Sequence, residues 1–297
     1  MSILPIDTGR YGTKEMLEIF REQKKIDYQL EIEAAAVLSQ NEIGLIPASI
    51  ARDIAKAAKS GRITAKRIKQ LEAKSDHDTA ALVEALAEKC QKASRPWIHY
   101  GLTSNDLVDT SNSMQMRDAI KIIQPKVSKL SLLLSKNAVK YKNVPAVGRT
   151  HGQHASIISF GLKFANWAAE MSTHLERLDE IKKRVLICKT MGVVGTGSLM
   201  GKNAIKVQER VAKKLGLYPA RVTTQIIPRE RYAEYIFQLS LLGATLEKIA
   251  MADLGLEIGS PDRKVSRISS SRWTLSRIWL AQIAVWMKAY HFSPNLL

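Results

Sequence analysis

Phe160, Phe164, Trp167, Met171, Leu175, Leu178 and Val185 recur at steps of three, four or seven, so one helix carries a continuous apolar stripe over many turns. Ser159 to Leu186 holds no proline, and its one glycine, Gly161, falls in the first turn. A helix cannot bury such a stripe against itself; other long helices have to cover it, which predicts a bundle. The same periodicity covers about Arg231–Leu256 and about Leu107–Tyr141, the latter interrupted near Pro125. No alternating strand pattern or hairpin turn signal of useful length accompanies them, so the expected class is all-α.

Before this bundle the helical segments shorten. They cover Lys14–Leu38, Ala48–Lys59, Thr64–Ala73 and Thr79–Gln91, parted by Asn41–Pro47 and by the Gly61-Arg-Ile-Thr turn. We divide the chain into a small helical N-terminal domain (1–98), a central helical bundle (99–258) and an atypical basic tail (259–297). The tail holds Pro261, the serines 269–271 and an excess of Lys and Arg.

Lys and Arg outnumber Asp and Glu by 45 to 28, a net charge of +17 at pH 7. That balance favours anionic ligands. The basic residues are spread along the chain without interleaved aromatics, so no specific nucleic-acid role is expected. Cys90 and Cys188 lie far apart and form no metal or redox motif; buried free thiols suit a reducing compartment. No signal pattern opens the chain and no run approaches 18 apolar residues, so the expected location is the cytoplasm, without a membrane partner.

Chemistry gathers in a few segments. His99-Tyr-Gly-Leu-Thr103-Ser104-Asn-Asp106 places two hydroxyls just before a helix expected to begin at Asn105 or Asp106. Such hydroxyls can cap the helix, or hold an oxyanion at its positive end. Gly148-Arg-Thr-His151-Gly-Gln-His154 reads as a loop feeding a helix, with an imidazole able to donate a proton near neutral pH. His151 and His154 have metal-like spacing, but no carboxylate or cysteine completes a ligand set, so no metal is expected. Lys74-Ser-Asp76-His77-Asp78 reads as a helix start with Asp78 as N-cap. Gly192–Asn203 looks like a phosphate loop, yet Thr196 and Asn203 break one pattern and Met200 the other.

Taken together these strings resemble the fumarase/aspartase superfamily, in the wording of its adenylosuccinate lyase branch. The resemblance runs from Arg10 to about Ile258. It includes Arg10-Tyr11, the segment around His77, the Thr103-Ser104 string, the Arg149-Thr-His151 string and Thr224-Gln225 followed by Pro228-Arg-Glu-Arg-Tyr232, where Tyr232 stands in place of a more usual histidine. The family's serine-loop string is not found here, and Gly259–Leu297 matches none of its later regions.

The resemblance implies a small helical domain followed by a bundle of the fumarase/aspartase type, here incomplete at the C-terminus. It implies a homotetramer whose subunits share each site, and a cofactor-free elimination of fumarate from adenylosuccinate and the related succinyl-carboxamide nucleotide. Carried over residue by residue, it makes His151 the acid and His77 a catalytic partner. Asp76, Asp78, Thr103, Ser104 and Gln225 bind substrate, and Arg10 and Tyr11 hold its phosphate. The family's base is a serine of the unmatched loop, so the chain as written is expected to turn over little. Two other readings stay open: a superfamily lyase acting on a different anion, and a non-catalytic helical oligomer that retains the scaffold.

Overall fold

The computed structural model describes residues 12–151 and 153–257. The helices are α1 (Lys14–Ile19), α2 (Glu22–Asn41), α3 (Ala48–Ala58), α4 (Ala65–Ser75), α5 (Asp78–Ala87), α6 (Ser104–Lys140), α7 (Phe160–Val185), α8 (Ala204–Leu215) and α9 (Glu230–Glu257). Four short strands accompany them: β1 (Pro145–Thr150), β2 (Gln153–Ser159), β3 (Ile187–Cys188) and β4 (Tyr218–Pro219). The all-α class expected from periodicity therefore holds.

Two compact units make up the described chain. The first takes residues up to 17, 120–181 and from 232 onward; the second takes 18–119 and 182–231. In the first unit the long helices run antiparallel. Gln124 and Ser131 on α6 bond Asp179 and the Ala168 carbonyl on α7, at 2.8 and 3.4 Å. His174 on α7 meets Thr245 on α9 at 2.9 Å, one turn from the Glu170–Lys248 ion pair. The stripe read from the sequence turns inward here: Trp167, Met171 and Leu178 are buried, as are Ile181 on the same helix and Ile123, Val127 and Leu134 on α6. At the α7 N-terminus Tyr141, Phe160, Phe164 and Trp167 form a chain of ring contacts 5.3–5.7 Å between centroids.

Three sequence expectations need correction. Pro125 does not interrupt α6, which continues to Lys140. Proline removes one backbone donor, and buried Ile123 and Val127 on either side hold the helix in register across the gap. The segment Lys14–Leu38 is two helices, broken where Arg21 adopts an extended conformation (ψ 145). The stretch expected to be a plain loop at 145–159 is an antiparallel hairpin. Its register pairs Val147 with Ile157 and Arg149 with His154, with an irregularity between Gly148 and Arg149. Both strands lie largely in solvent, so no buried face imposed the alternation by which a strand is recognised.

In the second unit α2 packs on α3 and α8, and α4 on α5, around Tyr28, Ile32, Ile54, Leu82 and Leu107. Cys90 and Cys188 are buried free thiols; burial, with Asp53 adding to it, pushes the Cys90 thiol up to about 11, so it stays protonated and inert. Among the described residues no helix is long and apolar enough to cross a membrane.

Candidate active site

The start of α6 organises the second unit. Thr103 is the residue before the helix, and its N–H donates to Asp106 Oδ2 at 3.0 Å; a carboxylate three residues on reaches back to the cap position. The helix thus begins at Ser104, one or two residues earlier than read from the sequence. Capping here uses Asp106, and the Thr103 and Ser104 hydroxyls bond no other described residue, so they remain available to a ligand beside the positive helix end.

Asp106 is fully buried and does more than cap. Oδ2 also accepts the Gly192 N–H at 2.9 Å, and Oδ1 takes the ammonium of Lys189, itself fully buried. Burial raises the Asp106 pKa, and the Lys189 charge and hydrogen bond pull against that. One turn on, Thr110 Oγ1 donates to the Lys189 carbonyl and accepts its N–H, both at 3.0 Å. The acidic part of the motif therefore builds the scaffold on which the hydroxyls sit.

A cavity of about 340 Å³ opens beside this helix end. His77, Thr79 and Val83 line it from the α5 region, and His99, Thr103 and Ser104 from the following segment. His77, not Asp78, is the α5 N-cap: at φ −144 its Nδ1 accepts the Ala80 N–H at 3.2 Å. Asp78 instead opens the helix, where its Oδ1 accepts the Thr79 N–H at 2.6 Å. The swap has a chemical consequence. An accepting Nδ1 carries no proton, so the neutral ring keeps its proton on Nε2 as a donor. Asp76 caps the end of α4 in a left-handed conformation (φ 51) and is exposed.

His99 begins the motif but is not among the candidate site residues that the sequence offers. Its Nδ1 lies 2.6 Å from Glu33 Oε1 and its backbone N–H donates to Glu33 Oε2 at 3.0 Å. Burial lowers the imidazole pKa, but the hydrogen bond and charge of buried Glu33 outweigh it, and the net shift is upward. The partner sits 66 residues away on α2, so nothing near His99 in sequence announces the pair. A raised histidine stabilises the fold fully below its unfolded pKa of about 6.5 and loses that contribution as pH rises through the folded value. Glu33→Gln should therefore cost more stability at about pH 6 than at about pH 8, measured as urea midpoints.

The remaining sequence candidates lie elsewhere. His151 is exposed at the end of β1, in the first unit, with φ 51. Gln225 is exposed on the turn following Thr223, in the second unit, and is not a lining residue of the cavity. Arg10, Tyr11 and the tail 259–297 lie outside the described residues. Asp76, His99 and His151 are the non-glycine residues with positive φ among those described, and each belongs to one of the segments singled out for its chemistry. Strained conformations of this kind concentrate where geometry serves function. Among the described residues no group of three or more His, Cys, Asp or Glu could hold a metal ion.

The comparisons extend this picture. A lyase family model matches residues 9–269, past the point near Ile258 where the resemblance read from the sequence ends. The chain is 43% identical over 251 residues to adenylosuccinate lyase of Methanocaldococcus jannaschii, covering 84% of this chain and 54% of that protein. It is 35% identical over 268 residues to adenylosuccinate lyase of Thermotoga maritima, covering 88% and 61%. The chain thus spans little more than half the length of these relatives. Among solved structures, fumarate lyase from Mesorhizobium sp. BNC1 superposes with a TM-score of 0.80 at 25% identity, covering 94% of this chain and 74% of that one. β-Carboxy-cis,cis-muconate cycloisomerase from Acinetobacter calcoaceticus gives 0.77 at 26%, covering 93% and 72%.

Proposed function

The chain belongs to the lyase family, within the fumarase/aspartase superfamily, and from that premise we propose that it serves the cleavage of adenylosuccinate, and of the related succinyl-carboxamide nucleotide, in purine nucleotide biosynthesis. The observation that carries this reading is the cavity uniting His77 with Thr103 and Ser104, segments matched independently to the same family in sequence. Hydroxyls at a helix start suit a carboxylate of the succinyl group, and the Nε2–H of His77 adds a donor for it.

In the elimination a base takes the proton from the carbon beside one succinyl carboxylate, and negative charge builds on that carboxylate. The electron pair then forms the double bond of fumarate, the C–N bond breaks, and the nitrogen leaves with a proton from an acid. We assign that acid to His151, substrate contacts to Thr103, Ser104 and Gln225, and the phosphate to Arg10 and Tyr11. Asp76 and Asp78 hold the ends of the helices that flank His77. The family resemblance implies a serine as base and no metal or organic cofactor.

The assembly we propose is a homotetramer with sites shared between subunits. Support comes from the first unit, which leaves Leu132, Leu133, Val139, Ile157, Leu162 and Phe237 each more than half exposed. Buried free thiols accord with a reducing, cytoplasmic location.

Calorimetric titration with adenylosuccinate tests the reading. Wild-type protein should bind it, and Thr103→Ala should weaken binding by about tenfold, the worth of one hydrogen bond to a charged group. His151→Ala should leave binding near wild type. In an assembly with measurable turnover it should lower kcat by about 10²–10⁴, because proton donation acts in the transition state. Binding insensitive to Thr103, or a fall in affinity without a fall in kcat at His151, contradicts these assignments. β-Carboxy-cis,cis-muconate serves as the competing anion; tighter binding of it would favour a different superfamily reaction.

A further inference from the structure

The turn that carries Gln225 is held from two directions by groups that no substrate contact explains. Asp109, whose side chain is completely buried in the second turn of α6, accepts the Ile227 N–H on Oδ2 at 2.8 Å. Its Oδ1 accepts from Arg229 Nη1 at 2.7 Å, and the Arg229 side chain is 45% exposed. One carboxylate thus grips both the backbone and a side chain just beyond Gln225. From the other direction Gly195 lies so close that a Cβ there would stand 2.2 Å from the Thr223 carbonyl oxygen and 2.8 Å from that of Thr224. The residues from Thr223 to Arg229 contain no helix or strand to fix them, so these contacts set where the glutamine stands.

The same helix end presents Thr103 and Ser104 to the cavity, with Asp109 within two turns of them. We propose that Asp109 is a positioning residue: its buried carboxylate, through the Ile227 N–H and Arg229, registers the Gln225 turn to the start of α6, so that glutamine and hydroxyls are presented from one rigid element. This rests on the reading of Gln225 as a substrate contact. Asp109 touches no substrate in this account; it acts through the turn it holds.

The consequence is local. Asp109→Asn keeps the size of the side chain and one acceptor for Ile227 but abolishes the ion pair. Arg229→Ala removes the same pair from a half-exposed position without burying an unpaired charge on the arginine side, and Arg229→Lys keeps the charge without the planar fork. Hydrogen–deuterium exchange and adenylosuccinate titration are read on all three, alongside urea unfolding. In Asp109→Asn and Arg229→Ala, exchange over 223–227 should quicken by about tenfold while the exchange of α2 and α8 stays at the wild-type rate. Adenylosuccinate affinity should fall by about tenfold in the same two variants, and Arg229→Lys should recover part of both effects.

Unchanged exchange over 223–227 in both variants overturns the proposal. Quickened exchange with adenylosuccinate affinity at the wild-type level also overturns it, because the turn would then be held for some purpose other than this ligand. If wild-type protein binds no adenylosuccinate while exchange quickens as expected, the clamp stands and the substrate reading fails.

Discussion

Lys189→Met should destabilise the second unit by about 3–5 kcal/mol, the cost of leaving one member of a buried ion pair without its partner. Lys189 and Asp106 are both wholly inaccessible to solvent. Without the ammonium, the carboxylate keeps only the N–H groups of Thr103 and Gly192. The folded-state pKa of Asp106 is already raised, by burial before all else, and losing Lys189 raises it further. The sign of the pH dependence follows. Between the unfolded pKa of about 3.9 and the raised folded one, the unfolded chain ionises and the folded chain does not, so stability falls as pH rises through that window. The deficit of Lys189→Met should therefore shrink towards about pH 4. Adding Asp106→Asn should recover part of the loss at neutral pH, because a neutral amide can still accept an N–H without the desolvation of a charge. Urea unfolding of wild type and both variants checks all of this; a Lys189→Met protein within about 1 kcal/mol of wild type would falsify the role given to the pair.

Gly195→Ala should cost roughly 2–5 kcal/mol from a single added methyl. Two penalties combine: φ is +79, a conformation that disfavours any side chain, and the new carbon would sit 2.2 Å from the Thr223 oxygen, which belongs to backbone and cannot rotate away. Gly44→Ala separates them. Its φ is +78, but nothing lies within 4 Å of the added carbon, so it carries the conformational penalty alone, about 1–2 kcal/mol. The difference between the two unfolding free energies measures the collision. Adenylosuccinate affinity should fall in Gly195→Ala and hold in Gly44→Ala. Equal losses of stability would mean that the turn moves aside freely.

What could be read from the sequence follows from how far each cause reaches. The α7 stripe shows because a helix buries every third or fourth residue, and Trp167, Met171 and Leu178 obey that rule wherever their partners come from. The Thr103-Ser104 hydroxyls show for a similar reason: a helix start needs such residues locally. The hairpin stayed hidden because its strands lie in solvent and the sequence between Thr150 and Gln153 holds no Asn-Gly or Asp-Gly pair to mark such a turn. The His77 cap stayed hidden because Asp78 is the better capping residue by type, and only the observed φ and the Ala80 bond decide between neighbours. The partners of the buried carboxylates were beyond any local rule. Lys189 lies 83 residues from Asp106 and Arg229 lies 120 from Asp109, and a lone lysine or arginine in sequence looks like surface.

The same distance in sequence conceals that the residues of this one motif face two ways. Thr103 and Ser104 face the cavity, while Asp106, Asp109 and Thr110 face inward and hold Gly192, Ile227 and Lys189. A compact string of chemically able residues splits, on folding, into ligand-facing hydroxyls and structural carboxylates.

The most direct measurement is a crystal structure of the protein with adenylosuccinate bound. A succinyl carboxylate should lie in the cavity between α5 and the start of α6, within hydrogen-bond distance of the Thr103 and Ser104 hydroxyls and of His77 Nε2. Ligand density lodged elsewhere while that cavity stays open, or protein that binds no adenylosuccinate at all, would contradict it.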